Sequence, residues 1–514
     1  MLHRFSQREK DFEFTNQFAL IMALLSGFLT LMANRSGVGW SWDSSDYVAV
    51  GKNFASGNGL LDATGIPMTV RPPGLSILIG IGDLLGLSVN LTVQILNVIC
   101  AIVTVLGTFH LSQIAKVKKH IALIAAAFVA FSPALLWQYS MIWSEPPFIA
   151  LVVIAMIVAL KPVSASKFTL LIVLFAALFF VRYVGPVFAA SIALSAAWFD
   201  RQKLGLIKSA LMNFAILLVS LVPVWYWLQR NESTDGTLTG ARTPAGGSLL
   251  NPLKTFTATL GSWVTASPVE GGIYLSWNDY PSNTKILGVL VLITVVILLI
   301  SCFFSRSRVE NSESGSNVLL LSGSTALIYI AFSAYRFVHF ELGPLDNRMM
   351  IPIFVPLILI VAVLVDRINL SSTLLRNGFL AISVMFLVFQ ALLSANDAFR
   401  FGRDGRYWAA KEFQTQPIHK FVKNLPTDSS LMSNQPQQLF AVWQKSSVFN
   451  QYQLELAQTF ECTHRYFVWY NSTYDDGTLN VEGQPEGAAE IFSDASGVVL
   501  DLGSCNSDIA AFWP

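Results

Sequence analysis

Apolar segments long enough to cross a membrane recur along most of the chain. A run of about 17 or more apolar residues can span the hydrocarbon core of a bilayer. The stretch from Phe168 to Phe199 is long enough for two shorter spans, separated near Arg182 and Pro186. Together with the longer runs, it predicts a polytopic all-α membrane protein of about 11 transmembrane helices. The longer runs are Gln17–Ala33, Leu87–Ala115, Ile121–Trp143, Pro146–Leu160, Ser209–Leu228, Ile286–Phe304, Val318–Ala334, Met349–Val365 and Asn377–Ala395.

The charge content agrees with a membrane protein. Only 13% of the residues are charged, whereas soluble domains contain about 25%. The net charge is +1, and the basic residues form no stripe or cluster typical of nucleic-acid binding. We therefore expect membrane lipids as partners and no nucleic acid.

Basic residues in alternate short loops predict the orientation. Under the positive-inside rule these loops are cytoplasmic, with the N-terminus inside and the C-terminus outside. The first span, Gln17–Ala33, lacks a small-residue cleavage pattern, so we expect it to be uncleaved. A bacterial inner (plasma) membrane is the expected location. The residues that set the orientation are Lys116, Lys118, Lys119, Lys161, Lys167, Arg201, Lys203, Lys208, Arg306, Arg308, Arg367 and Arg376.

The apolar segment Arg71–Leu87 is too short to be another span. From Leu75 it offers about 13 residues, or roughly 20 Å of helix, against about 30 Å of hydrocarbon. Counting it as a span would also invert every later loop. The sequence therefore predicts an interfacial helix that follows the outer loop Asn34–Gly74.

The last part of the chain has a different character. After residue 395 the short runs "RYFVWY" and "GVVLDL" are separated by Gly, Asp and Asn turns. We expect residues 1–395 to form the membrane domain and residues 396–514 a small extracytoplasmic α/β domain. Cys462 and Cys505 in this tail are candidates for a disulfide, whereas Cys100 and Cys302 lie in apolar segments and are expected to pack there.

Three acidic residues occur at the outer ends of two spans. In "SWDSSDYVAVGKNFASGNGL", Ser44 or Ser45 is a plausible helix N-cap, which places Asp43 just before a short helix and Asp46 in its first turn. An aspartate at a helix start is commonly a cap, and this reading is favoured for Asp46. Glu145, in "QYSMIWSEPPF", is either a functional acid or an ordinary residue that begins the next helix.

Arginines on the expected outer side supply a second class of candidate residue. The positive-inside rule disfavours them there, and lipid headgroups or surface salt bridges are the simplest explanations. The alternative is a bound phosphate or diphosphate, which a guanidinium binds through two hydrogen bonds. His339 is isolated in its loop, and a divalent metal is left open, with Glu145 or Asp46 as further ligands. The candidates are Arg71, Arg182, Arg336 and Arg348, with Tyr183, His339 and Asp346 beside them.

Four segments of the chain resemble the GT-C superfamily of membrane glycosyltransferases, which includes aminoarabinose transferases and protein O-mannosyltransferases. "WDSSDYVAVGKNFASGNGL" and "RPPGLSILIGIGDLLGL" are similar to the first outer loop of that family, with Asp43 and Tyr47 at its acid and tyrosine. Glu145 matches the acid of the second loop, and Arg348 in "DNRMMIPIFVPLILI" matches a late basic position. Many relatives have an Asp-Glu pair where Asp43 is followed by Ser44, so the base is either Asp43 or Asp46.

The resemblance implies transfer of a sugar from a polyprenyl-phosphate donor to a lipid, glycan or protein acceptor at the outer membrane face. Of the two possible bases we choose Asp43, with Asp46 as the alternative, and Glu145 would position hydroxyl groups of the acceptor or the sugar. The arginines would bind the phosphate. A transporter or flippase of a lipid-linked sugar is the alternative, although no internal repeat supports it. A non-catalytic scaffold whose outer tail binds partners is a third possibility.

Overall fold

A computed structural model describes residues 2–241, 244, 247–265, 276–304, 313–340, 344–367, 373–445, 447, 463–471 and 487–505. Helices dominate these residues. Four strands form one small sheet near the C-terminus. The helices are α1 (Leu2–Ala33), α2 (Trp42–Ala55), α3 (Gly74–Leu84), α4 (Val89–Ile114), α5 (Lys119–Ala130), α6 (Pro133–Tyr139), α7 (Glu145–Ala159), α8 (Ala165–Val181), α9 (Gly185–Leu204), α10 (Leu206–Asp235), α11 (Leu250–Thr265), α12 (Ser282–Phe304), α13 (Glu313–His339), α14 (Asn347–Met350), α15 (Phe354–Arg367), α16 (Thr373–Asp404), α17 (Lys411–Gln414), α18 (Pro417–Lys423) and α19 (Pro436–Trp443). The strands are β1 (Ser430–Ser433), β2 (His464–Tyr470), β3 (Ala489–Asp494) and β4 (Gly497–Ser504).

The helices identify an integral membrane protein with several spans. Among the described residues, seven helices are long and apolar enough to cross a membrane, and the bent pair α5 and α6 makes an eighth if it is one span. The expected count of about 11 also included α7, α8 and α9. Of these, α7 and α8 are apolar but shorter than the candidate spans. The single span expected at Ile121–Trp143 is instead bent by 48° between α5 and α6.

The chain forms two compact units. The first comprises residues 1–33, 96–139 and 144–399, and the second comprises residues 34–95, 140–143 and 400–514. The second unit therefore combines the first outer loop with the C-terminal region. The functional boundary expected after residue 395 stays a prediction.

The described part of the first unit is helical and contains most of the candidate membrane spans. Its core consists almost entirely of aliphatic and aromatic side chains, and the Phe188 ring contacts those of Phe148 and Tyr329. The break expected within "VRYVGP" is confirmed, because α8 ends at Val181 and α9 begins at Gly185. Helices α11 and α12 approach closely at Gly261, where an added Cβ would lie 1.9 Å from the Thr284 carbonyl oxygen.

One lysine used to assign the orientation is buried. Lys167 lies in α8, and its Nζ is 2.6 Å from Asp200 Oδ1 of α9. Both side chains are almost completely buried. An ion pair of this kind needs both partners, since removing one would leave a buried charge uncompensated. Lys167 is therefore part of the helix packing, whereas the sequence analysis placed it in a loop.

A four-stranded sheet organises the C-terminal part of the second unit. The strand order is β1-β2-β4-β3, with β1 parallel to β2 and the other pairs antiparallel. The strands expected at "RYFVWY" and "GVVLDL" are confirmed as β2 and β4. Alternate residues of β2 enter different cores: Val468 and Tyr470 pack with α18 and α19 residues, and Phe467 packs with Leu500 and its neighbours.

Two further expectations concern the tail and the large outer loop. Cys505 is disulfide-bonded, while Cys462, its expected partner, lies outside the described residues. The stretch from Gln229 to Lys285 lies between the predicted spans Ser209–Leu228 and Ile286–Phe304 and was therefore expected to be a loop. It contains the end of α10 and the whole of α11. Thr, Gly and Trp residues interrupt the apolar pattern of α11, so the hydropathy of the sequence did not predict this helix.

Candidate active site

The first cluster of candidate residues lies in the second unit, at the start of α2. Asp43 and Asp46 are three residues apart and therefore share a helix face. Arg71 bonds to both: its Nε lies 3.0 Å from Asp43 Oδ1, and its Nη1 donates to Asp46 Oδ2. One guanidinium thus holds two carboxylates, and we call Asp43, Asp46 and Arg71 the acid cluster.

The helix that carries these acids begins earlier than expected. Its first residue is Trp42 and its N-cap is Ser41, so the N-cap prediction at Ser44 or Ser45 was wrong. Asp43 consequently lies inside the first turn of α2. The Ser41 amide donates a hydrogen bond to Ser44 Oγ. This bond favours a helix that begins at Trp42 over one that begins after Ser44.

Tryptophan and serine side chains fix the start of α2. Trp143 Nε1 donates to Ser41 Oγ at 2.8 Å, and Trp40 Nε1 donates to Ser45 Oγ at 2.7 Å. Ser45 Oγ in turn donates to the Gln437 carbonyl oxygen of α19 at 2.6 Å. These bonds are buried, so they hold the helix in a defined position within the second unit.

Burial shapes the electrostatics of the acid cluster. It raises the pKa of Asp46 to about 7, and the Arg71 charge only partly opposes this shift. Burial also lowers the pKa of Arg71, but Asp43 and Asp46 raise it by more, so this arginine stays charged. The Asp46 side chain is 3% exposed and that of Asp43 is 17% exposed. Asp43 is therefore the acid that a substrate can reach more easily.

A third acid, Asp62, was missed by the sequence analysis. Its Oδ1 accepts hydrogen bonds from the Thr64 amide at 2.8 Å and from Thr64 Oγ1 at 2.6 Å. Burial raises the pKa of Asp62, and its charge contributes to the raised pKa of Asp46. The sequence feature that could have identified Asp62 is the turn Asp-Ala-Thr-Gly, in which Gly65 has a φ of 79°.

Tyr47 lies one residue beyond Asp46 and is 4% exposed. The ionised Tyr47 phenol would raise the pKa of Arg71, so this phenol lies near the Arg71 guanidinium. The structure therefore associates Tyr47 with the acid cluster. Its expected role in substrate binding stays a prediction.

A second cluster lies in the first unit and centres on Glu145. Glu145 is the first residue of α7, where its charge suits the helix dipole, and its side chain is completely buried. Arg348 Nε donates to Glu145 Oε1 at 2.9 Å, and Arg182 Nη1 pairs with the same oxygen. We call Glu145, Arg182 and Arg348 the arginine cluster; it carries one net positive charge.

Each arginine lies at the end of a helical segment. Arg182 follows α8 with extended backbone (φ −148°), and Arg348 belongs to the four-residue helix α14. Their side chains are 15% and 13% exposed, respectively. Because both guanidinium groups are partly accessible while the carboxylate is buried, this arrangement suits an incoming anion.

Asp346 and Tyr183, two further predicted residues, also lie in the first unit. Asp346 caps α14 by accepting from the Met349 amide at 3.0 Å. Tyr183 Oη accepts hydrogen bonds from Trp227 Nε1 and Asn231 Nδ2, each at 3.0 Å.

Arg336 and His339 lie in the last turn of α13, which extends into the segment expected to be a loop. The Arg336 guanidinium lies 4.7 Å from the Phe340 ring, and the His339 ring lies 4.4 Å from that of Tyr335. Within the described ranges, neither bonds to Glu145, Arg182 or Arg348.

The sequence did not decide whether the site binds a divalent metal ion. The described part of the chain contains no group of three His, Cys, Asp or Glu side chains arranged to hold a metal ion. In the acid cluster, Arg71 occupies the position between the carboxylates. That the acid and arginine clusters serve one cavity stays a prediction.

Comparisons with known proteins provide an independent view of the fold. No protein-family model matches the chain, and no curated protein sequence does. Solved structures do. ArnT from Cupriavidus metallidurans bound to undecaprenyl phosphate is 12% identical and has a TM-score of 0.58, over 94% of this chain and 97% of that one. The apo form of ArnT is 13% identical with a TM-score of 0.57, over 96% and 98% of the two chains.

An archaeal enzyme gives a third match. The apo oligosaccharyltransferase from Archaeoglobus fulgidus is 13% identical and has a TM-score of 0.51, over 89% of this chain and 69% of that one. At these identities the likeness concerns the fold. The resemblance of the outer-loop segments and the matched architecture agree, and the chain has the fold of the GT-C membrane glycosyltransferases.

Proposed function

We propose that the chain is a glycosyltransferase that moves a sugar from a polyprenyl-phosphate donor to a lipid, glycan or protein acceptor. The observation that carries this proposal is the shared fold with ArnT, whose structure holds undecaprenyl phosphate. The two charged clusters supply the groups that such a transfer requires. Sugar transfer needs a base for the acceptor and positive charge for the departing phosphate.

The arginine cluster is proposed to bind the donor phosphate. Arg182 and Arg348 are held by one buried carboxylate, so their guanidinium groups are oriented before the donor arrives. Preorganised donors stabilise developing negative charge without a reorganisation cost during the reaction. Glu145 then acts by orienting both arginines. Arg71 is assigned to holding Asp43 and Asp46, because its guanidinium already bonds to both.

Asp43 is proposed as the general base. It would accept the proton of an acceptor hydroxyl while that oxygen forms a bond to the anomeric carbon of the sugar. The bond from the anomeric carbon to the phosphate oxygen breaks, and polyprenyl phosphate leaves with both bonding electrons. Attack from the face opposite the phosphate inverts the anomeric configuration. Asp43 is preferred to Asp46 because its side chain is the more exposed.

The proposed setting is the outer face of a bacterial inner membrane. The N-terminus would be cytoplasmic and the C-terminal sheet extracytoplasmic, as the distribution of basic residues predicts. Membrane lipids and the donor are the proposed partners. The sugar and the acceptor are to be identified by experiment.

The test is the substitution Asp43→Asn, which keeps the shape of the side chain and removes its basicity. We expect transfer to fall by about 10²- to 10⁴-fold, the usual contribution of a positioned base. The purified protein would be reconstituted with membranes that carry native acceptors and a panel of undecaprenyl-phosphate monosaccharides. Release of undecaprenyl phosphate, followed by mass spectrometry, measures the turnover.

Asp83→Asn is the matched control, because Asp83 is an exposed aspartate of α3 in the same unit. It should behave as wild type. Near-normal turnover by Asp43→Asn would show that another group is the base. Movement of the intact lipid-linked sugar across the bilayer without release of undecaprenyl phosphate would instead identify a flippase.

A further inference from the structure

We infer that α11 is a positioning element for Arg348, with Thr259 and Trp263 as its positioning residues. This inference rests on the proposed function, in which Arg348 binds the donor phosphate. Neither residue attracted attention in the sequence, where both lie in a stretch expected to be a loop. In the structure they bond to the short segment that presents Arg348.

The contacts fall on the residues that immediately precede Arg348. Thr259 Oγ1 donates to the Leu345 carbonyl oxygen at 2.9 Å. Trp263 Nε1 donates to Asn347 Oδ1 at 2.7 Å. Thr259 and Trp263 are four residues apart and therefore project from the same face of α11. The helix thus holds the segment at two points, one on its backbone and one on a side chain.

Helix α14 is the first turn of a continuous helical stretch, Asn347–Arg367, so Arg348 lies at the end of that stretch. The first turn of a helix needs outside partners, because its first N–H groups have no intrahelical acceptor. Asp346 caps the helix through the Met349 amide at 3.0 Å, and Tyr329 Oη donates to the Met349 carbonyl oxygen. Each of these bonds restricts the backbone on one side of Arg348.

Helix α11 is itself anchored in the first unit. Thr259 is fully buried, and its hydroxyl is 3.0 Å from Tyr280 Oη. Gln390 Nε2 of α16 donates to the Val264 carbonyl oxygen at 3.0 Å, and the Trp263 ring packs edge-on against Phe354. A rigid support of this kind can transmit a defined position to the segment bonded to it.

The consequence concerns the arginine cluster. Arg348 Nε reaches Glu145 Oε1 across a sequence separation of 203 residues, so its direction depends on where α14 is held. Without the Thr259 bond, the Leu345 carbonyl would lose a buried donor and the segment would shift or loosen. Donor binding should then weaken, although neither Thr259 nor Trp263 contacts the phosphate in this proposal.

The experiment measures the dissociation constant of undecaprenyl phosphate from the purified full-length protein by calorimetry. Thr259→Val keeps the shape of the side chain and removes the hydroxyl. We expect it to weaken binding about tenfold, equivalent to one lost buried hydrogen bond. Thr259→Ser should restore binding. Thr257→Val is the matched control, since among the described residues the Thr257 hydroxyl bonds within α11, to the Leu253 carbonyl.

A second variant tests the inference independently, in case Thr259→Val does not fold. Trp263→Phe removes the indole N–H and retains an aromatic ring against Phe354. It should weaken binding in the same direction, at temperatures where melting curves show every variant to be folded. Wild-type affinity for both Thr259→Val and Trp263→Phe would overturn the inference.

A double-mutant cycle separates this inference from the proposed function. Arg348→Ala alone should weaken undecaprenyl phosphate binding, and adding Thr259→Val should then have no further effect. If Arg348→Ala weakens binding and Thr259→Val does not, the positioning role is wrong and the proposed phosphate site stands. An Arg348→Ala variant with unchanged affinity would reject both. An equal Thr259→Val effect with and without Arg348 would show that α11 acts by another route.

Discussion

Asp46 is an acid whose ionisation changes close to neutral pH. Its side chain is nearly buried, which raises its pKa to about 7 despite the adjacent Arg71. Above that pH the carboxylate is charged and pairs with the guanidinium. Below it the group becomes neutral, and Arg71 keeps only Asp43 as a charged partner in the acid cluster.

We therefore expect turnover to decrease as the pH falls through about 7. Protonation of Asp46 weakens one of the two ion pairs that hold Arg71, and the neighbouring Asp43 loses its fixed orientation. In the variant Asp46→Asn this inflection should disappear, and the remaining activity should be lower at high pH. The measurement is kcat/KM between pH 5.5 and 8.5, an interval that covers about one and a half units on each side of the inflection.

The same profile distinguishes the two candidate bases. If Asp46 were the base, Asp46→Asn would reduce turnover by about 10²-fold or more above pH 7, where the wild-type carboxylate is ionised. If it supports Asp43, the variant keeps measurable activity with a flatter profile. An unchanged inflection in Asp46→Asn would show that a different group titrates.

The individual charged residues could be predicted, but their partners could not. Asp43, Glu145 and the arginines stand out because charge is unusual at the ends of apolar runs. Nothing local links Arg348 to a glutamate 203 residues away. Thr259 and Trp263 were missed for a related reason. The importance of these two residues appears only through what they contact, the Leu345 carbonyl and the Asn347 side chain.

At the level of elements, the acid cluster depends on the contact between α2 and α3. A Cβ at Gly51 would lie 2.8 Å from the Ser76 carbonyl oxygen and 2.9 Å from Ile79 Cγ2. A Cβ at Gly80 would lie 2.6 Å from the Gly51 carbonyl oxygen. The two helix backbones therefore touch, and Arg71 precedes α3 by only three residues.

The substitution Gly51→Ala should separate the two helices and disturb the acid cluster. Overpacking of this kind costs about 1–3 kcal/mol, and we expect turnover to fall together with the melting temperature. Gly323→Ala in α13 is the matched control, because a Cβ there meets no neighbouring atom within 4 Å. The control should be neutral or slightly stabilising, since alanine is the better helix former. Full activity of Gly51→Ala would mean that the helix spacing is not critical.

Element prediction succeeded where the sequence pattern was strong. The break between α8 and α9 was visible because arginine and proline interrupt an apolar run, and β2 was visible from its aromatic and β-branched residues. The start of α2 was misplaced because three serines compete as caps. The bend between α5 and α6 was missed, since both helices are apolar and hydropathy does not register direction.

At the scale of the whole molecule, the fold is retained although sequence identity to the matched structures is only 12–13%. Membrane helices can exchange one apolar residue for another without losing their span, so overall identity falls while architecture persists. The short outer-loop segments carry charged groups that stand out between the apolar runs. This explains why the family resemblance was visible there.

The orientation in the membrane is the remaining whole-molecule prediction. Basic loops predict a cytoplasmic position for Lys119, at the start of α5, and an extracytoplasmic position for Lys420, in α18. Both lysines are exposed, so each can be replaced by a reactive cysteine. A membrane-impermeant maleimide applied to intact cells should label Lys420→Cys, whereas Lys119→Cys should react only after permeabilisation.

The unsubstituted chain is the control for this labelling. Cys100 is buried and Cys505 is disulfide-bonded, so background labelling at these two positions should be low. Labelling of Lys119→Cys in intact cells, with protection of Lys420→Cys, would reverse the orientation. It would place the acid cluster's unit on the cytoplasmic side, where the proposed reaction at the outer face could not occur. The topology experiment therefore tests the proposed function without knowledge of the sugar or the acceptor.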